Sequence, residues 1–147
     1  MKIREIMSRN PACCVPSDSA QVVAKILCDR DIGSMPVVAD QQSKKLVSMI
    51  TDRDLCCTII AEGMDPTATP IAKVITSAAV WCREGENVEA CERLMQEHQV
   101  RRIPIVDAEG CVIGIVAQAD LALKDKPERV SKTVAEISRA KQPSVAA

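Results

Sequence analysis

The amino-acid sequence predicts an α+β fold, in which two tandem β-α-β-β-α repeats pack with pseudo-twofold symmetry into one module and a C-terminal helix follows. The first observation is self-similarity: "IREIMS" (residues 3–8) aligns with "IAKVIT" (71–76), and "IGSMPVV" (32–38) with "VRRIPIV" (100–106). The second is that both copies show the same order of apolar periodicities. The third is that a single repeat would expose an apolar sheet face to solvent, whereas two copies within 147 residues can cover each other's apolar faces.

Each copy opens with a short apolar helix, predicted over residues 3–7 and 71–75, and continues as an extended segment over 12–15 and 80–83. A longer helix is expected to start near Ser17 in the first copy and near Gly85 in the second, because apolar residues then recur three and four positions apart. The positions on this apolar face are Val22, Val23, Ile26 and Leu27, and Val88, Cys91, Leu94 and Met95.

Two strands joined by a polar turn come next, over residues 34–39 and 46–50 and over 102–106 and 112–116. A second helix begins after Thr51 or Ala117. These patterns place repeat 1 at residues 1–66, repeat 2 at 67–124, and a C-terminal helix and tail at 125–147, with residues 63–69 as the connecting loop. Val130, Val134 and Ile137 form one stripe, so the C-terminal helix is expected to dock or to mediate association, and residues 141–147 are expected to fray.

Composition excludes several classes of function. The net charge is −1 and the basic residues are scattered, so nucleic acid is not expected as a main partner. The N-terminus lacks the apolar core of a signal peptide, and no stretch approaches the roughly 18 apolar residues of a membrane span. The sequence therefore predicts a cytoplasmic protein that does not bind membranes.

The eight cysteines form no C-x-x-C and accompany a single histidine, His98, so no metal site is predicted. Most of them, and Trp81, are expected to pack in the apolar core. With one histidine, no P-loop lysine and no G-x-G-x-x-G, the sequence predicts no enzyme. A thiol-based redox sensor that uses Cys13 or Cys14 stays open as an alternative.

The motif Thr51-x-x-Asp54 follows an apolar strand and precedes a helix, and it has two interpretations. As a capping box, Thr51 accepts the amide of Asp54 while Asp54 reaches back to the amide of Thr51. As a ligand site, the unpaired amides of the helix start suit a phosphate, and the carboxylate suits the vicinal diol of ribose. The second copy keeps Asp120 but has Ala117 in place of the threonine, and Ala117 cannot cap.

Arg101 and Arg102 enter the second copy's strand where the first copy has Gly33 and Ser34. They are either a solvated edge or the planar donors that phosphate favours. The two copies therefore look complementary, with hydroxyls in one and cations in the other, which predicts two unequal sites or a single working site.

The repeat, the proline at corresponding positions and the terminal aspartate together resemble the cystathionine β-synthase (CBS) domain pair, or Bateman module, in its stand-alone bacterial form. The resemblance covers residues 1–124. It implies clefts between the copies that bind AMP, ADP, ATP, NADH or S-adenosylmethionine, and a disc-like homodimer. Carried onto this sequence, it implies a site formed by Ser34, Met35, Pro36, Thr51, Arg53, Asp54, Arg101, Arg102, Ile103, Pro104 and Asp120.

The resulting hypothesis is a regulatory module that senses an adenosine-containing effector, requires no cofactor for catalysis, and signals through its dimer or through an unknown protein target. The alternatives are a ligand-free structural or interaction dimer, in which the motif only caps helices, and the redox sensor.

Overall fold

The first repeat is a β-hairpin with one helix before it and one after it. The computed structural model describes residues 1–75 and 78–140. A short 3-10 helix, Ile3–Glu5, opens the chain and is called the first lead-in. The elements that follow it are β1 (Ser8–Arg9), α1 (Ala20–Arg30), β2 (Ser34–Val38), β3 (Leu46–Thr51), α2 (Asp52–Leu55) and a π-helical continuation of α2 (Cys56–Ile60).

The second repeat has the same order of helices and hairpin strands, but its first strand corresponds to the extended residues around Cys14, which bridges Val37, and not to β1. It begins with the second lead-in, the 3-10 helix Ile71–Lys73. The elements that follow are β4 (Cys82–Arg83), α3 (Val88–His98), β5 (Arg102–Val106), β6 (Val112–Ala117) and α4 (Gln118–Lys124), and the C-terminal helix α5 (Pro127–Ser138) ends the described chain. The α+β class and the repeated order of elements are therefore confirmed.

The two lead-ins are exchanged between the repeats. Ile3 and Ile6 are buried in the core of the second repeat, whereas Ile71 and Val74 are buried in the core of the first. Backbone hydrogen bonds hold them there: the amide of Ile3 donates to Glu86 O (3.0 Å) and that of Ile71 to Asp18 O (2.9 Å). The strand β1 follows its lead-in and pairs with β6, which gives a sheet of order β1-β6-β5-β4. Neither repeat can complete its core without the other.

Residues also meet their own repeat counterparts across the pseudo-twofold axis. Lys45 and Cys111, which occupy corresponding positions in the two hairpin turns, form an antiparallel bridge. Arg102 Nη1 donates to the hydroxyl of its counterpart Ser34 at 3.4 Å. Contacts of this kind require a twofold relation between the halves, so the predicted pseudo-symmetry is present in the fold.

Helices α1 and α3 start three residues later than predicted, at Ala20 and Val88. The residues predicted to begin α1 form a turn instead, in which the carboxylate of Asp18 accepts the amide of Val15 (2.9 Å), and Ser19 then caps the helix. The residues predicted for the apolar faces of the two helices are buried or half-buried, except Val22, which is 45% exposed.

Helix α5 docks along α3, as the apolar stripe predicted. Thr133 and Ile137 are buried, and Gln96 on α3 donates to the Thr133 hydroxyl at 2.8 Å. At the start of α5, Arg129 pairs with Glu89 at 2.8 Å and with the buried carboxylate of Glu92 at 2.5 Å. Desolvation raises the pKa of Glu92, and the contact with Arg129 opposes that rise. The predicted fraying of residues 141–147 lies outside the described residues.

The longest helix in residues 1–75 and 78–140 has 12 residues, and none there is long and apolar enough to cross a bilayer.

Truncating a lead-in is expected to destabilise both repeats together. Ile3→Ala removes a fully buried side chain and should lower the free energy of unfolding by about 2–5 kcal/mol, as such truncations do in other cores. Because the lead-ins are exchanged, the urea transition should stay single. The exposed Val22→Ala variant is the control and should change stability by less than about 0.5 kcal/mol. A second transition in Ile3→Ala, assigned to an unaffected repeat, would contradict the mutual dependence of the cores.

Candidate functional site

A cleft of about 870 Å³ lies between the two repeats. The first repeat contributes the end of β3 and the start of α2, including Thr51 and Asp54. The second contributes the extended residues 78–80 and the turn 98–102, which joins α3 to β5, and the end of α5 adds Ile137 and Arg139. The cleft therefore brings together six of the seven predicted polar site residues, which come from both repeats: Ser34, Thr51, Arg53, Asp54, Arg101 and Arg102.

Thr51 and Asp54 form a reciprocal capping box. The Asp54 amide donates to Thr51 Oγ1 at 3.0 Å, and the Thr51 amide donates to Asp54 Oδ2 at 2.9 Å. The capping interpretation of the motif is therefore correct. A carboxylate offers about four acceptor positions, and the cap uses one of them, so Asp54 can cap the helix and still accept hydroxyls from the cleft.

The expectation that free amides at the start of α2 would hold a phosphate is wrong. The amide of Asp52 donates to Gly33 O at 2.9 Å and that of Arg53 to Asp52 Oδ1 at 2.8 Å. The next amide, of Asp54, donates to Thr51 Oγ1. Since the chain itself accepts these three amides, the candidates for holding an anion are side chains of the cleft.

Those side chains are basic and come from both repeats and from α5. The arginines among the described lining residues are Arg53, Arg101, Arg102 and Arg139, and His98 lies beside them. The carboxylates in the same lining are Asp52 and Asp54. The four arginines outnumber the two carboxylates in this lining, so the cleft favours an anionic ligand.

The second motif is capped on one side only. Asp120 Oδ2 accepts the amide of Ala117 at 2.7 Å, as Asp54 does for Thr51, but Ala117 has no oxygen to accept the amide of Asp120. Asp120 does not line the 870 Å³ cleft. Its predicted role in ligand binding stays a prediction, whereas its capping bond is a feature of the fold.

Four of the residues implied by the family resemblance are core residues. Met35, Pro36, Ile103 and Pro104 lie inside strands β2 and β5 and are buried, and none of them lines the cleft. Ser34 and Arg102 are the first residues of β2 and β5, and they line the cleft. The residues that follow them in each strand are buried in the core. Contact between these four side chains and a ligand stays a prediction from the resemblance.

Sequence reasoning missed several lining residues. Ala78, Ala79, Val80 and Val100 give the cleft an apolar side. Their small apolar side chains are indistinguishable from core in a single sequence, so no local signal identifies them. No local signal identifies Ile137 and Arg139 as lining residues either, because their position depends on how α5 docks on α3.

A second cavity of about 380 Å³ is lined by Asn10, Pro11 and Ala12, the repeat counterparts of Ala78, Ala79 and Val80. It contains Arg30 and Lys44 but neither Asp120 nor Ser34. This cavity includes the counterparts of residues 78–80 but not the second motif, so the expectation of two unequal sites stays a prediction.

The cysteines are less uniformly buried than expected. Cys14, Cys82 and Cys91 are buried, but Cys28, Cys56 and Cys57 are exposed. Burial raises the pKa of Cys13 and raises that of Cys14 to about 12, so neither forms a reactive thiolate readily. This disfavours the redox site suggested at that pair. Trp81, expected in the core, is 46% exposed, with Arg83 5.4 Å from its ring centre.

Comparison with known proteins agrees with this geometry. The family model of the CBS domain matches residues 3–60 and 71–125. The chain belongs to the CBS-domain family. Its relatives include hypoxic response protein 1 of Mycobacterium tuberculosis, which is 29% identical over 119 residues, or 81% of each chain. They also include the CBS domain-containing protein YhcV of Bacillus subtilis, 33% identical over 121 residues, or 82% of this chain and 83% of that one.

Solved CBS structures share the fold. The structure of hypoxic response protein I with two coordinated zinc ions has a TM-score of 0.77, at 28% identity, over 86% of this chain and all of that one. The CBS domain pair of MJ0100, in complex with 5-methylthioadenosine and S-adenosyl-L-methionine, has a TM-score of 0.73, at 27% identity, over 84% of this chain and 94% of that one. In the described part of this chain, no three His, Cys, Asp or Glu side chains cluster as metal ligands.

The contribution of the Thr51 hydroxyl to capping can be measured by removing it from the first motif and by adding a hydroxyl at the equivalent position, Ala117, of the second. Thr51→Ala should lower the free energy of unfolding by about 1 kcal/mol, the usual contribution of an N-cap. Ala117→Thr should raise it by up to a similar amount, because Ala117 has nearly the same backbone conformation as Thr51 (φ −101°, ψ 158° against −117°, 159°). Chemical denaturation measures both changes, and a loss of stability in Ala117→Thr would show that the second motif cannot accept the cap.

Proposed function

We propose that this CBS protein is a regulatory module that binds an adenine nucleotide in the cleft between its repeats. The observation that carries the proposal is that the Asp54 carboxylate of one repeat and Arg101 and Arg102 of the other line the same cavity, which also has an apolar side. A nucleotide combines a diol, an anionic group and a flat apolar base, and the cleft offers a partner for each. The cavity of about 870 Å³ lies within the roughly 300–1,000 Å³ typical of small-molecule sites.

Asp54 is assigned to the ribose. Its carboxylate is oriented by the amide of Thr51 and half-buried at the edge of the cleft. Hydrogen bonds to a charged group contribute about 1.5–3 kcal/mol each. Two such bonds to the ribose hydroxyls would provide a substantial part of a micromolar affinity, which corresponds to about 8 kcal/mol.

The phosphate is assigned to the arginines. Arg102 lies nearest the pseudo-twofold axis, where its guanidinium donates to Ser34 Oγ, and Arg101 and Arg53 lie beside it on the cleft lining. A guanidinium can donate two parallel hydrogen bonds to one phosphate. The amides of α2 are already bonded, so these side chains supply the anion-binding groups.

The base is assigned to the apolar side formed by residues 78–80 and Val100. The complex of the MJ0100 domain pair with two adenosyl compounds supports the choice of adenosine. Between adenosyl ligands, the excess of arginine favours AMP, ADP, ATP or the anionic NADH over S-adenosylmethionine, whose sulfonium is a cation.

The protein would then act by binding and not by catalysis. A bound nucleotide touches both repeats, so it favours the relative arrangement of the repeats that closes the cleft around it. That preference would pass to a protein partner or through a homodimer. Exposed apolar residues in the segments after the two motif aspartates, Ile60 and Leu123, support a self-associating surface, since they are 75% and 82% exposed.

The ribose assignment is tested by calorimetric titration with AMP and 2′-deoxy-AMP. Wild type should bind AMP more tightly, because the deoxy ligand lacks one hydroxyl for Asp54. Asp54→Asn retains an acceptor for the Thr51 amide but loses the charge, so its AMP affinity should fall about tenfold. The variant should also discriminate less between the two ligands, because the two changes remove the same interaction.

Asp120→Asn is the matched control, because Asp120 makes the equivalent capping bond outside the cleft. If only the large cleft binds AMP, Asp120→Asn should bind AMP as tightly as wild type. If a second cleft also binds AMP, wild type should show two binding events and Asp120→Asn only one. Equal AMP binding by wild type and Asp54→Asn would remove Asp54 from the site. No heat or thermal shift with any adenosyl ligand, combined with a lower melting temperature in Asp54→Ala, would favour the ligand-free structural dimer.

The homodimer is tested by light scattering. Wild type should show twice the chain mass of 15.9 kDa. Leu123→Glu places a charge on the proposed surface and should shift the mass toward the monomer, whereas Val22→Glu, on the exposed part of α1, should not. A monomeric wild type at micromolar concentration would contradict the dimer.

A further inference from the structure

The last turn of α5 forms one side of the nucleotide cleft. Ile137 and Arg139 line the cavity together with Thr51, Asp54 and Arg101. Helix α5 lies beyond residue 125, outside both ranges that match CBS domains. The cleft is therefore composed of two CBS repeats and a third element that the repeats do not include.

Gln99 joins α5 to the cleft. Its side-chain amide donates to Glu136 O at 3.3 Å and to Arg139 O at 2.7 Å, which are carbonyls at the C-terminal end of α5. Glu136 O also accepts the backbone amide of Arg139 at 3.4 Å, so Gln99 is a second donor to that carbonyl and the donor to Arg139 O at the helix end, where carbonyls have few partners. The same residue ends α3 in the left-handed region (φ 51°) and lines the cleft between His98 and Arg101.

The remaining attachments of α5 lie away from the cleft. Gln96 bonds the hydroxyl of Thr133 in the middle of the helix, and Arg129 pairs with Glu89 and Glu92 at its start. A helix of 12 residues is marginal on its own in water, so α5 depends on these contacts and on its few buried apolar side chains to stay folded. Elements held in this way open more readily than a core strand.

Docking of α5 also changes the charge of the cleft. Arg139, the residue that follows α5, is exposed and pairs with Glu136 of the helix at 2.9 Å, and it adds a fourth arginine to the lining. Release of α5 would remove this cation and the apolar wall formed by Ile137. A phosphorylated ligand therefore interacts more favourably with the cleft when α5 is docked.

We propose that α5 is a ligand-coupled element: a nucleotide in the cleft and the docked position of α5 stabilise each other, and Arg139, the residue that follows the helix, recognises the phosphate. This inference rests on the proposed function of the cleft. The coupling is reciprocal by thermodynamic necessity, so it can be measured from either side. It gives the protein a way to report ligand binding through a segment outside the CBS repeats.

The experiment is hydrogen exchange of the full chain, followed over residues 127–139, without ligand, with saturating ATP and with saturating adenosine. ATP should slow exchange of the α5 amides by at least about fivefold, the lower end of typical allosteric coupling. Adenosine lacks the phosphates and should slow it less. Arg139→Ala should bind ATP several-fold more weakly, bind adenosine as wild type does, and lose the additional slowing caused by ATP.

Lys132→Ala is the matched control, because it removes one positive charge from an exposed position of the same helix that does not line the cleft. It should behave as wild type in both measurements. ATP binding with unchanged exchange over residues 127–139, or an equal loss of ATP affinity in Lys132→Ala and Arg139→Ala, would overturn the coupling and leave the nucleotide site intact. Failure of wild type to bind either ATP or adenosine would overturn the proposed function and this inference together.

Discussion

The exchange of the lead-ins is the constraint on which the rest of the structure depends. Ile3 and Ile71 each complete the core of the other repeat, and backbone hydrogen bonds fix both in place. The repeats therefore cannot separate as independent domains, and the space between them has a defined shape. A cleft bounded by two units can bind a ligand specifically only if the units are held in register, and the exchanged lead-ins provide that register.

Thr51 and Asp54 show how one motif can serve folding and recognition together. The cap orients the Asp54 carboxylate through the amide of Thr51, and it uses only one acceptor position. The same cap, with Gly33 O and Asp52, removes the amides of α2 from the set of available anion donors. In the proposed site, recognition of an anion then falls to the arginines of both repeats, which would make binding dependent on both halves of the molecule.

Differences between the copies distinguish the two cavities. The fold is pseudo-symmetric in its backbone, as the bridge between Lys45 and Cys111 illustrates. Its side chains are not: Arg102 faces Ser34, and Thr51 corresponds to Ala117. Two similar folds with different polar residues produce one large cleft that combines carboxylates with arginines, and a smaller cavity that lacks Asp120. Helix α5 adds to this asymmetry, because it packs on α3 and α4 of the second repeat and its C-terminal end lines the large cleft.

The sequence by itself determined the repeat, the order of elements, the hairpins and the capping motif, because these depend on local periodicity and on spacing within a few residues. It also identified Ser34, Asp54, Arg101 and Arg102 as polar residues at the starts and ends of elements. Tertiary structure alone decided that the lead-ins are exchanged, that Met35, Pro36, Ile103 and Pro104 are buried, and that Ile137 and Arg139 border the cleft. The physical reason is that periodicity records which face of an element is buried, whereas contacts across the pseudo-twofold axis decide which other element buries it.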